Sequence, residues 1–201
     1  MIKLKVENLS KKFGSKLVFE NLSFEIESGK VFGVTGPNGS GKTTLLNILA
    51  NLESPSRGKV KIFLDEGKKD RNSIGLVSDS FSLYEELTAY ENLKFFSQVR
   101  NLKKSKEEIL ELLNFFSLKG RAEDPLSTFS SGMKQRMKLA FALLSSPQIL
   151  LLDEPTSNLD FEGVEKVLQI LREQRKRGLV VLATNDVREL EWSDEFLELK
   201  G

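Results

Sequence analysis

Apolar and polar positions alternate in short runs over the first sixty residues: Ile2–Leu9 (IKLKVENL), Leu17–Ile26 (LVFENLSFEI), Lys30–Gly36 (KVFGVTG) and Gly58–Phe63 (GKVKIF). Runs this short, rich in β-branched and aromatic residues and bounded by Gly, Asn and Ser, predict strands. From about Thr88 the pattern changes to a helical period. Thr88 with Glu91 and Ser105 with Glu108 each form the Ser/Thr-x-x-Glu pattern that opens a helix, and Ile109, Leu112, Leu113 and Phe116 share one face of the second. Residues 80–145 therefore read as a mostly helical block. After it the β/α rhythm returns with the apolar run in Gln148–Pro155 (QILLLDEP), a helix striped by Val164, Val167, Leu168 and Leu171, and a second apolar run in Leu179–Asp186 (LVVLATND). Buried strands alternating with helices predict an α/β fold with a parallel sheet, into which the helical block is inserted. The chain shows no internal repeat, low-complexity segment or linker.

At 201 residues the chain is long enough to bury a substantial core. Its 30 basic and 29 acidic residues nearly cancel, which argues against a nucleic-acid partner and against a general attraction to anionic surfaces. Without cysteine there is no disulfide framework or thiol nucleophile, and without histidine there is no imidazole base or ligand. Chemistry must rest on carboxylates, hydroxyls, lysine and backbone, an inventory suited to hard cations, above all Mg²⁺ with phosphates. No apolar run approaches the roughly 18 residues needed to span a bilayer, and Met1–Lys5 lead into a strand pattern. A soluble, cytoplasmic protein is expected.

The stretch GPNGSGKT, Gly36 to Thr43, matches G-x-x-x-x-G-K-S/T between a predicted strand and the helical run TLLNILA. In this pattern glycines let the loop turn its amides onto phosphates and the helix N-terminus adds partial positive charge. Lysine, here Lys42, reaches the β/γ oxygens, and Thr43 offers a hydroxyl to Mg²⁺. Gly36, Pro37, Asn38, Gly39, Ser40, Gly41, Lys42, Thr43 and Thr44 are the candidate nucleotide-binding residues. The run ILLLDEP ends in adjacent carboxylates, Asp153 and Glu154, at the end of a strand where both can reach a crevice at the carboxyl edge of a sheet. Asp153 is suited to hold Mg²⁺, and Glu154 to orient and deprotonate a water.

Together with FSSGMKQR, Phe129 to Arg136, these motifs make the whole chain resemble the ATP-binding subunit of an ABC transporter. FSSGMKQR alone is also what a serine-capped helix carrying Met133, Met137, Ala140 and Leu144 would show. Its place between the phosphate loop and LLLDEP is where the family carries its signature, usually written LSGGQ. The resemblance implies a P-loop NTPase of ABC type, with a mostly parallel core sheet, flanking helices, an N-terminal antiparallel β portion and an inserted helical subdomain. It implies one domain over 1–201, with 1–79 and 146–201 as core and 80–145 as the signature subdomain. It also implies a head-to-tail dimer that sandwiches ATP, with Ser130, Ser131 and Gly132 facing the partner's nucleotide. Ser131 stands for the family's first glycine and Met133 for its glutamine. Phe13 falls where an aromatic stacks on adenine, core packing being the alternative. Ser157–Asp160 (SNLD) matches the loop that crosses the dimer interface.

Two positions depart from the family pattern. Asp79, after IGLV, replaces a glutamine that touches the metal and its water, and keeps an oxygen at shorter reach. Asn185 replaces the switch histidine, so it can donate an amide hydrogen bond but can neither carry charge nor shuttle a proton. Losing one charge-assisted contact there costs roughly 1–3 kcal/mol of transition-state stabilisation. The alternative is that Asn185 caps a helix beginning at Asp186. The resemblance implies an ATPase that binds ATP and Mg²⁺ and drives a separately encoded transmembrane permease, an exporter, from the cytoplasmic face of the membrane. Its partner cassette would be identical or different. Lys42, Glu154 and Asn185 are the expected catalytic set and Thr43, Asp79 and Asp153 the expected metal set. A weakly hydrolysing regulatory module paired with a competent subunit is the alternative that the two departures raise.

Overall fold

The computed structural model describes residues 1–64, 71–79 and 82–200; Ser80 and Phe81 of the expected helical block, and Gly201, lie outside the described residues. The continuous apolar runs at the middle of the chain form the central strands of a sheet. Strands β3 (Val31–Thr35), β6 (Ile149–Asp153) and β7 (Leu179–Ala183) are almost wholly buried, because both faces of the sheet are covered. With β5 (Ile74–Val77) and β8 (Glu195–Glu198) they make a five-stranded parallel sheet in the order β5-β6-β7-β3-β8. Along β7, Val180 and Leu182 face one core, while Leu179, Val181 and Ala183 face the other.

The N-terminal alternating runs pair differently. β1 (Lys3–Phe13) lies between β2 (Lys16–Glu27) and β4 (Arg57–Phe63) in an antiparallel sheet of order β2-β1-β4. Its inward side chains, Leu4, Val6 and Leu9, meet Leu45, Leu46 and Leu49 of helix α1 (Lys42–Leu49) against one face of the parallel sheet. The opposite face is covered by α2 (Ala89–Val99), α3 (Lys106–Phe115), α4 (Ser131–Leu143) and α5 (Phe161–Arg177), through Leu93, Ile109, Leu113, Met137, Ala140, Val167 and Leu171.

The helix starts follow local chemistry. Thr88 Oγ1 accepts from the Glu91 amide and Glu91 returns the bond to the Thr88 amide, and Ser105 and Glu108 repeat the exchange. These bonds satisfy N–H groups that have no partner inside a helix. β5 and β8 are not anticipated by the apolar pattern, whereas the short helix α6 (Val187–Leu190) begins one residue after the helix start considered at Asp186. β1 also continues four residues beyond the run ending at Leu9, to a tight turn at Gly14 and Ser15.

Candidate functional site

All five strands of the central sheet are parallel, so their carboxyl ends lie along one edge. β3 runs into the loop from Gly36, β5 into Ser78 and Asp79, β6 ends at Asp153 before Glu154, and β7 delivers Thr184 and Asn185. A cleft of about 360 Å³ opens there, lined by Phe13, Lys16 and Val18 of the β1–β2 hairpin, by Asn38, Gly39 and Gly41–Thr44, and by Asp79, Asp153 and Glu154.

The loop can form only with glycine at particular points. Gly41 precedes α1 with φ of 101°, and a β-carbon there would lie 2.4 Å from Val18 Cγ1. Gly36, at φ of 146°, would meet the Leu199 carbonyl at the same separation. Lys42, only 7% exposed, donates from Nζ to the Gly36 carbonyl at 2.8 Å and lies 3.8 Å from Glu154 Oε1. Thr43 Oγ1 donates to Asp153 Oδ2 at 2.6 Å, so the hydroxyl and the carboxylate face the same space. The buried Ser40 hydroxyl has no hydrogen-bond partner among the described residues, whereas the Ser40 amide is used within the loop by Pro37 O. A phosphate fits this donor set: a buried ammonium, a helix N-terminus and an open cradle at Gly39, where a β-carbon would touch nothing. Hard oxygens from Thr43 and Asp153 fit Mg²⁺.

Burial pushes the Asp153 carboxyl above its ordinary range, against the opposing pull of the Thr43 hydrogen bond and Lys42. Glu154 is also raised, first by burial; Lys42 and the Asn185 amide oppose the rise, while Glu189 and Asp153 add to it. Glu154 has φ of 46°, an uncommon conformation for a residue with a side chain. Its carboxylate receives the Asn185 backbone N–H on Oε1 at 3.1 Å and the Thr184 hydroxyl on Oε2 at 3.4 Å.

Asn185 does not cap the following helix. Asp186 does, accepting from the Arg188 amide at 2.8 Å, and that reading of Asn185 is corrected. The Asn185 side chain instead donates from Nδ2 to Asn38 Oδ1 at 3.0 Å, joining the end of β7 to the phosphate loop. Asp79 lines the cleft with a 96% exposed side chain, paired with Lys138 of α4. Phe13 is not core: it is half exposed at the cleft, with Lys11 Nζ 4.5 Å from its ring centre.

Ser130, Ser131 and Gly132 do not line this cleft. Ser130 is the N-cap of α4, its hydroxyl accepting from the Met133 amide at 3.2 Å. Gly132 packs under the Asn158 carbonyl so closely that a β-carbon would lie 2.6 Å from that oxygen. Ser131 borders a second cleft of about 490 Å³ with Asp153, Glu154, Ser157 and Asn158.

The ABC transporter family pattern matches residues 19–157, more than half of the chain. The chain belongs to the ABC transporter family. It is 35% identical over 92% of its length to the lantibiotic transport ATP-binding protein SrtF of Streptococcus pyogenes, spanning 80% of that protein. It is 36% identical over 94% of its length to the Nod factor export ATP-binding protein I of Sinorhizobium fredii, spanning 57% of it. Its fold matches the ATP-binding cassette MJ0796, solved as a dimer in a post-hydrolysis state bound to ADP and Pi, with a TM-score of 0.86 and 29% identity. That match covers 98% of this chain and 94% of the other. The chain is thus an ATPase of the ABC type, from a family that binds ATP.

Several residues around the site of this ABC protein went unread in its sequence. Lys16 and Val18 reach the cleft only because a hairpin folds over it. Thr184 is a buried hydroxyl, and Lys138 is one charge on a helix, until the fold sets each beside a carboxylate. Gln135 and Arg136 of FSSGMKQR are buried against the segment after β6, a placement that the helix-cap pattern does not reveal. No helix among the described residues is long and apolar enough to cross a membrane.

Proposed function

We propose that this chain is the ATP-hydrolysing subunit of an ABC exporter, dimerising around Mg·ATP and powering a separately encoded permease from the cytoplasmic face of the membrane. The observation that carries the reading is the convergence at one sheet edge of buried Lys42, the Thr43–Asp153 hydrogen bond and Glu154 within 3.8 Å of Lys42. The one-domain reading, with 1–79 and 146–201 as core and 80–145 as signature subdomain, belongs to the same proposal. Relatives named for lantibiotic transport and Nod factor export support the transport assignment, and the dimeric MJ0796 supports the dimer.

The loop from Gly36 to Thr44 holds the phosphates and Phe13 packs against the base. Thr43 and Asp153 would hold Mg²⁺, with Asp79 beside them; the cation, when bound, neutralises charge on the β- and γ-phosphate oxygens. Lys42 turns from the Gly36 carbonyl to the phosphates. Glu154 accepts a proton from the water that attacks the γ-phosphate as the bond to the bridging oxygen of ADP breaks, and its raised affinity for protons strengthens it as a base. Asn185 donates to the γ-phosphate from Nδ2. Ser130, Ser131 and Gly132, absent from their own chain's cleft, serve the nucleotide of the partner.

The test is steady-state ATP hydrolysis with Mg²⁺ by wild type and Glu154→Gln, with the size of the ATP-bound species read in parallel. Turnover lost in Glu154→Gln, with an ATP-dependent dimer, is the expected result. The pairing of Asp79 with Lys138 and the neutral Asn185 favour a second reading, a weakly hydrolysing regulatory module. ATP binding by a wild type as inert as Glu154→Gln, even with permease and partner cassette present, would support it.

A further inference from the structure

One face of α4 grips the segment from Glu154 to Asp160 at three successive points. Gly132 lies against the Asn158 carbonyl, where no β-carbon fits. Gln135, three residues on and 6% exposed, donates from Nε2 to the Pro155 carbonyl at 3.0 Å and to the Glu154 carbonyl at 3.3 Å. Arg136, one residue further, donates from Nη2 to Asp160 Oδ1 at 2.6 Å and from Nη1 to the Phe116 carbonyl at 3.1 Å. Residues three and four apart share one side of a helix, so the three contacts form a single strip.

The Gln135 contacts bear on a stretch of uncommon backbone conformation in the site. Glu154 has positive φ, and such a conformation persists only where its surroundings over-determine it. The Glu154 amide is fixed to β7 by a 2.9 Å bond to the Ala183 carbonyl. Its carbonyl accepts the Ser157 amide at 3.2 Å on the other side, and Gln135 supplies its second donor. Only the NH₂ end of a carboxamide can serve two carbonyls, which assigns the orientation of the side chain by chemistry.

We propose that Gln135 is a positioning residue that fastens the turn carrying Glu154 to the helix opened by the signature stretch. Displacement of α4, in response to the partner's nucleotide or to a permease, then moves the base of the same chain. The inference rests on the reading of Glu154 as the base. It adds a link within one chain between the signature helix and the hydrolytic site, independent of contacts across the dimer.

The experiment compares wild type, Glu154→Gln, Gln135→Met and Gln135→Glu in steady-state hydrolysis, well below the melting transition of each, with amide hydrogen exchange over residues 154–160. Gln135→Met keeps the length and removes both donors. It is expected to lower kcat about ten- to a hundredfold, as a small misplacement of a reacting group does, with KM little changed and faster exchange in Ser157–Asp160. Gln135→Glu keeps one donor while protonated, the form that burial against two carbonyls favours, and none once ionised. Its kcat relative to wild type is therefore expected to recover as the pH is lowered. Unchanged kcat and exchange in Gln135→Met, while Glu154→Gln is inactive, would overturn this inference and leave the base reading intact. So would an equal loss of nucleotide affinity and kcat, or a Gln135→Glu deficit that does not depend on pH. Wild-type turnover in Glu154→Gln would remove the base reading and the inference with it.

Discussion

Asn185 holds the site by two bonds that substitution can separate. Its backbone N–H reaches Glu154 Oε1 at 3.1 Å and remains in any variant but proline, while Nδ2 reaches Asn38 Oδ1 at 3.0 Å. Asn185→Ala thus removes the side-chain donor, proposed to turn to the γ-phosphate, and leaves the base anchored. A hydrogen bond to a charged acceptor contributes about 1.5–3 kcal/mol, so kcat should fall roughly ten- to 160-fold. KM should change little, because the phosphate loop itself is intact. Asn185→His offers a group that can carry charge, and so restores the charge-assisted contact worth roughly 1–3 kcal/mol. Turnover should then rise roughly five- to 160-fold above wild type. Phosphate release at saturating Mg·ATP measures all three proteins side by side. Equal turnover in the three would refute the role given to the side chain. A loss in Asn185→Ala as complete as that in Glu154→Gln would refute the separation, since it would mean that the side chain also fixes the base.

The raised carboxyl of Glu154 places the acid limb of kcat above the usual glutamate range near 4.5, and a limb at or below that value in a pH–rate profile would contradict burial as its cause. The same shift has a stability consequence: between the ordinary and the raised value the folded state binds more protons than the unfolded one, so ionising Glu154 lowers stability as pH rises through that window. Glu154→Gln should accordingly gain thermal stability over wild type at neutral pH, by a margin that narrows on acidification. Gly41→Ala forces a side chain into φ of 101° and onto Val18, and should abolish nucleotide binding in a fluorescence titration while leaving most of the fold in place. Leu182→Ala, at a fully buried position of β7, should lower unfolding free energy by about 2–5 kcal/mol in a denaturant titration. Thr88→Ala should lower it by about 1 kcal/mol through loss of the cap on α2.

The motifs were legible wherever the chemistry is local. Gly36–Thr43 must form a loop between strand and helix, because its turns require glycine and its lysine follows directly; Thr88 and Ser105 announce helices through bonds to residues three positions on. The apolar runs at Ile149–Leu152 and Leu179–Ala183 predicted a covered parallel sheet, since only strands buried on both faces dispense with alternation. β8 was hidden because Glu195–Glu198 is an edge strand whose exposed, charged positions carry no such signal. The pairing of Asp79 with Lys138, the bond from Asn185 to Asn38, and the hold of Gln135 on Glu154 join residues 59, 147 and 19 positions apart. What the sequence determined by itself was the set of groups and the elements that carry them. Which groups share an edge of the sheet, and how Glu154 is kept in its strained turn, was decided only by tertiary packing, because hydrogen bonds and charges act through space over a few ångströms and register no distance along the chain.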